Sequence, residues 1–260
     1  MTQPANDPYR STSVERAFEL VDRVAAAGPD GITLAQLAAD VPTAKSTTHR
    51  YIATLLGLGV LRRDLTGRLY LGLKLVELAG ALLEGDDLRG AAEPVLHDLV
   101  ARTGETVHLG VPAEGHVVYI AKVESPQSVR LVSRIGARAP FHCSSMGKAI
   151  LSTMYGPELH AALERPREVR TMHTITSTET LLAELERVRA EGVAIDDEEN
   201  ELGVRCVGAA IRGPRAEPLA AISVSGPATR MTRERCAEIA PAVIAASHEI
   251  ARRLGHRSLV

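Results

Sequence analysis

The clearest chemistry in this 260-residue chain is a crowd of hydrogen-bond donors in one short stretch: Lys45, Ser46, Thr47, His49 and Arg50, followed by Arg62, Arg63 and Arg68. Hydroxyls, an imidazole and a guanidinium on the first turns of a helix can address base edges, and arginines on a two-stranded ribbon suit phosphate oxygens. At about 100° per residue, Ala44, Thr48, Tyr51, Ile52 and Leu55 fall on one stripe of that helix. Ser46, His49 and Arg50 then face outward, with Lys45 and Thr47 at the flanks. Before it the pattern predicts a short helix over 33–39, starting at Thr33, and a turn Asp40-Val41-Pro42-Thr43. Pro42 cannot continue a helix, and Thr43 can cap the next one. A hairpin follows through Val60-Leu61-Arg62-Arg63, a turn at Asp64-Leu65-Thr66-Gly67, and Arg68-Leu69-Tyr70-Leu71. This order predicts a winged helix-turn-helix whose partner is duplex DNA, with Thr33 and the eight donors above as its contact set.

Charge agrees locally. The whole chain carries −2, which excludes the strong overall basicity often used to infer nucleic-acid binding. Between residues 41 and 75, however, six basic residues stand against Asp64 alone, a balance of +5. Such asymmetry fits one DNA-facing end on a body that avoids DNA.

Other reactive residue types form no constellation. His142 adjoins Cys143, but neighbours on an extended segment point to opposite faces, so they cannot pair as base and nucleophile there. Cys143, Cys206 and Cys236 are widely spaced without a Cys-x-x-Cys pair, which supports neither a disulfide framework nor a zinc ribbon. His108 and His173 lack ligand spacing, so no metal and no cofactor are expected. The acidic run Asp196-Asp197-Glu198-Glu199 lacks the alternation and glycine of a calcium loop and is expected to be mostly solvated.

The elements that must position these groups divide the chain into 10–72 for DNA binding, a linker helix over 73–87, and a second domain over 88–260. The first helix is expected to open with a capping box, Thr12-Ser13-Val14-Glu15, and to bury Ala17, Phe18, Val21 and Val24 before Gly28-Pro29. Residues 1–10 read as a disordered tail. The linker helix offers an apolar face of Leu75, Val76, Leu78, Ala79, Leu82 and Leu83, to be covered by a second copy of the chain or by its own C-terminal domain. Beyond Leu88 the pattern predicts helices over 89–103, 144–154, 157–163, 178–191 and 232–254. Strands are predicted over 106–111, 117–123, 129–133, 193–196, 206–211 and 219–225. Together these suggest an α+β domain with one antiparallel sheet, one face of which can line a pocket. No run approaches the ~18 apolar residues of a membrane span, and the polar N-terminus excludes a signal peptide, so no membrane partner and a cytoplasmic location are expected.

Three segments resemble the IclR family of bacterial transcriptional regulators. Leu34-Ala35-Gln36-Leu37-Ala38 with Lys45-Ser46-Thr47-Thr48-His49-Arg50 is similar to the family's helix-turn-helix. The run from Pro140-Phe141-His142-Cys143-Ser144-Ser145 through Met146-Gly147-Lys148-Ala149-Ile150-Leu151 resembles its Pro-Leu-His-x-Ser/Thr-x-x-Gly-Lys-Ala-x-Leu element. The most specific resemblance runs from Gly192 to Ala209 and continues in Ala221-Ile222-Ser223-Val224-Ser225-Gly226-Pro227.

The resemblance implies an N-terminal all-α-plus-wing winged helix-turn-helix, a linker helix that helps dimerise, and a C-terminal α+β GAF-like domain for a small effector. It further implies a dimer or dimer of dimers on operator double-stranded DNA. Carried over residue by residue, the effector site would use Ser145, Met146 and Gly147, Asp196, Cys206, Ser223 and Ser225. Helix-start N–H groups favour an anion by ~0.3–1 kcal/mol, which suits a small carboxylic acid. Asp196 would then meet a hydroxyl or amide end of the ligand. The rival from another class is a cysteine hydrolase using Cys143 or Cys206 with an N-terminal assembly domain; no base and orienting group stand beside either thiol in sequence.

Overall fold

A computed structural model describes residues 11–39, 45–84 and 87–255. The chain separates into two compact units, residues 1–86 and 87–260. The expected turn Asp40-Val41-Pro42-Thr43, Ala44, the side chains of Lys45, Leu82 and Leu83, and the expected tail over 1–10 lie outside the described residues.

The first unit strings together α1 (Thr12–Ala26), a 3-10 turn (Gly28–Asp30), β1 (Ile32–Thr33), α2 (Leu34–Ala39), α3 (Lys45–Gly57), β2 (Leu61–Arg63), β3 (Arg68–Leu71) and α4 (Lys74–Glu84). Its small antiparallel sheet has the order β1-β3-β2. Leu20, Val24, Leu37, Ile52, Leu61 and Leu69 form the core where α1, α2, α3 and the hairpin converge. Two local expectations are corrected. The N-cap of α1 is Ser11, with no side-chain cap bond, and Thr12 already lies inside the helix, so the expected box does not form there. Leu20, Val21 and Val24 set the buried stripe, and Phe18 lies outside it at 64% exposure. The capping box sits instead at α2: Thr33 Oγ1 accepts from the Gln36 N–H, and Gln36 Oε1 accepts from the Thr33 N–H. Thr33 is thus a strand-end cap, not a helical residue.

The second unit contains α5 (Asp87–Thr103), β4 (Thr106–Ala113), β5 (His116–Val123), β6 (Arg138–Pro140), α6 (Ser145–Thr153), α7 (Gly156–Leu163), α8 (Thr178–Glu191), β7 (Ala194–Asp197), β8 (Val204–Arg212), β9 (Pro218–Pro227) and α9 (Arg233–Arg253). One fully antiparallel sheet runs β6-β5-β4-β9-β8-β7. Strand side chains alternate faces, and here the two faces differ in kind. Val107, Val224 and Val207 form a rung that packs with Leu96, Leu99, Val243 and Ile250 of α5 and α9. On the other face α6 and α8 bring Met146, Ile150, Leu181 and Leu185 against Val117 and Ala221.

The strand expected over 129–133 does not form. Residues 124–137 are one long connection fastened by side chains: Arg130 pairs with Glu124, and Lys122 Nζ donates to the Ser133 carbonyl. The strand that does form there, β6, has only three residues and ends on a proline.

Candidate functional site

On α3, Thr48, Ile52 and Leu55 are buried while Ser46, His49 and Arg50 are exposed and Thr47 is half-buried. The outward face is therefore the polar one, as its helical angles require. On the wing, Arg63 is exposed, and the Arg62 guanidinium stacks 4.4 Å from the centroid of the Tyr70 ring. Arg68 differs from both. Its guanidinium donates to the carbonyls of Asp30 and Gly31, each at 3.1 Å, so it ties the wing to the turn before α2 rather than standing free for phosphate. The wing tip is held by Asp64, whose Oδ1 accepts from the hydroxyl and N–H of Thr66 and the N–H of Arg68. The Thr66 hydroxyl leads the bonds that keep this carboxyl below its usual range.

The second unit holds a cavity of about 380 Å³. Strand register explains its floor. Thr106, Ser225, Cys206 and Asp196 lie side by side across β4, β9, β8 and β7, and His108, Ser223 and Gly208 form the next same-face rung. The N-terminus of α6 stands directly over this grid. A Cβ on Gly208 would lie 2.9 Å from Ser145 Oγ, so only glycine lets β8 pass so close beneath the helix start. Six of the seven expected site residues line the one cavity: Ser145, Met146, Asp196, Cys206, Ser223 and Ser225.

Gly147 does not line it. Its N–H is taken by the Ser144 hydroxyl that caps α6, and a Cβ there would sit 2.4 Å from Phe141 Cα, so this glycine serves close packing. The amides of Ser145 and Met146 keep no intrahelical acceptor, as helix geometry requires.

The acidic run is not mostly solvated, contrary to expectation: Asp196 and Glu199 are buried, and Asp197 and Glu198 are half-buried. Lys148, 1% exposed, donates to Glu199 and, at 3.0 Å, to Glu184, which also pairs with Arg187. Asp197 and Glu198 pair with Arg205. Lysine and glutamate are almost never fully buried unless paired, and here α6 supplies the partner. The two most distinctive segments of the sequence thus meet through Lys148 and Glu199. Asp196 Oδ1 accepts from the N–H groups of Glu199 and Asn200 at 2.9 and 3.3 Å. Burial first, and then Glu199, push Asp196 up to about 7.

Sequence reasoning missed His108 and the connection Arg130–Ser133 as cavity walls; Tyr119 lines the cavity beside them. His108 Nε2 lies 2.7 Å from Ser133 Oγ, its ring stacks at 4.7 Å on Tyr119, and burial holds it down to about 4, hence neutral. The signal for His108 is its β-alternation with Thr106 and Gly110, readable only once β4 is paired with β9.

The thiols are unfit for nucleophilic work. Burial pushes Cys143 up to about 12 and raises Cys206 well above its ordinary value. His142 Nε2 donates to the Glu168 carbonyl at 3.0 Å and leaves Cys143 without a base.

Comparison with known proteins fixes the class. Residues 13–65 match the IclR helix-turn-helix domain, and residues 80–252 match the bacterial transcriptional regulator IclR C-terminal domain. The regulator KdgR of Escherichia coli is 34% identical over 251 residues, covering 96% of this chain and 95% of that protein. The transcriptional repressor IclR of the same organism is 31% identical, covering 96% and 91%. The crystal structure of Thermotoga maritima IclR is 34% identical with a TM-score of 0.75, over 94% of this chain and 99% of that one. The chain belongs to the IclR family: it is a transcriptional regulator, not an enzyme, with an N-terminal helix-turn-helix DNA-binding domain and a C-terminal effector-binding domain. Among the described residues no helix is long and apolar enough to cross a membrane.

Proposed function

We propose that this regulator reads its operator through α3 and the wing, and that a small carboxylic-acid metabolite in the cavity of the second unit sets its operator affinity. It then acts as a repressor, an activator or both. Ser46, Thr47, His49 and Arg50, with Lys45 beside them, address the major groove, and Arg62 and Arg63 address phosphates. The domain division follows the sequence reading: DNA binding through residue 72, a linker over 73–87, and effector binding beyond.

The observation that carries the effector reading is the cavity itself. Its floor and roof present donors, the Ser223 and Ser225 hydroxyls, the Cys206 thiol and the Ser145 and Met146 amides, to a volume of about 380 Å³. That size and chemistry suit a small acid with its carboxylate at the helix start.

Self-association is part of the same proposal. Val76 and Leu78, at the two flanks of the apolar side of α4 with the exposed Ala79 between them, are 65% and 56% exposed in the single chain, a surface that a second copy would cover, giving the two half-site contacts a palindromic operator needs.

Calorimetric titration of small carboxylic acids tests the reading. An acid that shifts wild-type protein on its operator should bind Ser223→Ala and Ser225→Ala about 5- to 150-fold more weakly, the cost of one buried hydrogen bond at about 1–3 kcal/mol. Equal binding by both variants would place the effector elsewhere.

A further inference from the structure

Asp196 lies on the cavity floor at 2% exposure, among ionisable groups from every element packed around it. Lys148 comes from α6, Cys206 from β8, Tyr119 from β5 and Cys143 from the segment before α6, while Glu199 and Glu201 come from the loop after β7. His108 and two arginines complete the wall, but His108 is neutral, and Arg130 and Arg138 turn to Glu124 and Glu114. Lys148 and Arg187 balance Glu199 and Glu184. An ionised Asp196 would leave one buried negative charge without a counter-ion, which a low-dielectric site resists by protonating the group. Oδ1 is occupied by the two amide donors, so the proton belongs on Oδ2, the oxygen left to the cavity.

We propose that Asp196 presents a neutral carboxyl whose Oδ2–H donates to the anionic end of the bound acid, so that effector binding takes up one proton. This rests on the cavity being a small-carboxylate site. A carboxyl and a carboxylate share that one proton in a charge-assisted hydrogen bond; no covalent bond to carbon or oxygen is otherwise made or broken. It also removes the repulsion that would send the carboxylate away from Asp196, and it makes Ser223, Ser225, Cys206 and Asp196 one set of donors beneath the helix start. With Asp196 pushed up to about 7, the free protein carries that proton in only part of the population near neutrality, and uptake on binding rises with pH.

The experiment is titration calorimetry of the full chain with acetate and with L-lactate, from pH 6 to 9, each in two buffers of different ionisation enthalpy. Wild type should take up close to one proton per acid bound at pH 8.5, and its Kd should rise about tenfold per pH unit above about 7.5. Asp196→Asn keeps a neutral donor at Oδ2's place, so its binding should show no proton uptake and a flat pH profile. Ser223→Ala should bind more weakly at every pH with wild-type slope and wild-type proton uptake. Zero proton uptake by wild type, or an unchanged slope in Asp196→Asn, would overturn the proposal while leaving the cavity as the acid site. If neither these two acids nor any other small carboxylic acid binds, the carboxylate reading of the cavity falls and this proposal with it. Should Asp196→Asn fail to fold, the two-buffer comparison on wild type decides alone.

Discussion

Replacing Lys148 with Met should open a large and pH-dependent hole in stability. The side chain is 1% exposed and holds Glu199 and Glu184 together. Glu184 retains Arg187 at 2.8 Å after the change, so the loss falls on Glu199, whose Oε2 already lacks a hydrogen-bond partner. Stranding one member of a buried ion pair costs about 3–5 kcal/mol, far above the ~1 kcal/mol of an average substitution. The sign of the pH dependence follows from Glu199. Burial raises its pKa even with Lys148 present, and removing the ammonium raises it further. A carboxyl raised in the folded state costs nothing below its unfolded pKa, and its cost grows as pH climbs through the folded value. The deficit of Lys148→Met should therefore be largest at pH 8 and shrink toward pH 5. Urea unfolding of the full chain at both pH values measures it. The double variant Lys148→Met with Glu199→Gln should recover most of the loss, because position 199 then carries no charge to be stranded. A deficit under about 1 kcal/mol, equal at both pH values, would refute the reasoning, since such a value is typical of an exposed pair.

Further outcomes follow from the same structure. Arg50→Ala should weaken operator binding by about 1–3 kcal/mol in gel shifts, whereas Arg62→Ala and Arg63→Ala should mainly flatten the salt dependence. Arg68→Ala should lower thermal stability and leave the salt slope nearly unchanged, because its guanidinium is engaged by backbone carbonyls; a flattened slope would contradict that placement. Val76→Asp with Leu78→Asp should give monomers in analytical ultracentrifugation and abolish operator binding; an intact dimer would remove α4 from the interface. Asp196→Asn should be more stable than wild type at pH 8.5. The cost of ionising Asp196 spans roughly three units, from 3.8 to about 7, an upper bound of about 4 kcal/mol. That advantage should vanish near pH 4, and equal stability at pH 8.5 would show that Asp196 ionises freely.

The DNA-facing unit was legible because its information is local. The 3.6-residue period alone sorts Thr48, Ile52 and Leu55 from Ser46, His49 and Arg50, and the Asp64–Gly67 turn marks the wing. The antiparallel sheet was legible through period-2 runs such as 219–225. What escaped depends on partners distant in sequence. The acidic run looks solvated until Lys148 reaches Glu199 from α6. Alternation over 129–133 mimics a strand, but with Arg130 bound to Glu124 and Ser133 to His108 that segment is held by side chains instead of a ladder. Gly147 looked like a ligand amide because the cap at Ser144 consumes its N–H only once the Ser144 hydroxyl is seen to fold back. His108 looked isolated because the pairing that sets it beside Ser223 joins β4 to β9.

Fluorescence anisotropy on the labelled operator, titrated with a cavity-binding acid, tests the central claim that the second unit's cavity governs the first unit's hold on DNA. Wild type should change its operator affinity by about 5- to 150-fold, the coupling of about 1–3 kcal/mol typical of linked sites. The Ser223→Ala, Ser225→Ala double variant should bind operator normally without acid and need a far higher acid concentration for the same change. An identical acid response in wild type and double variant would contradict it.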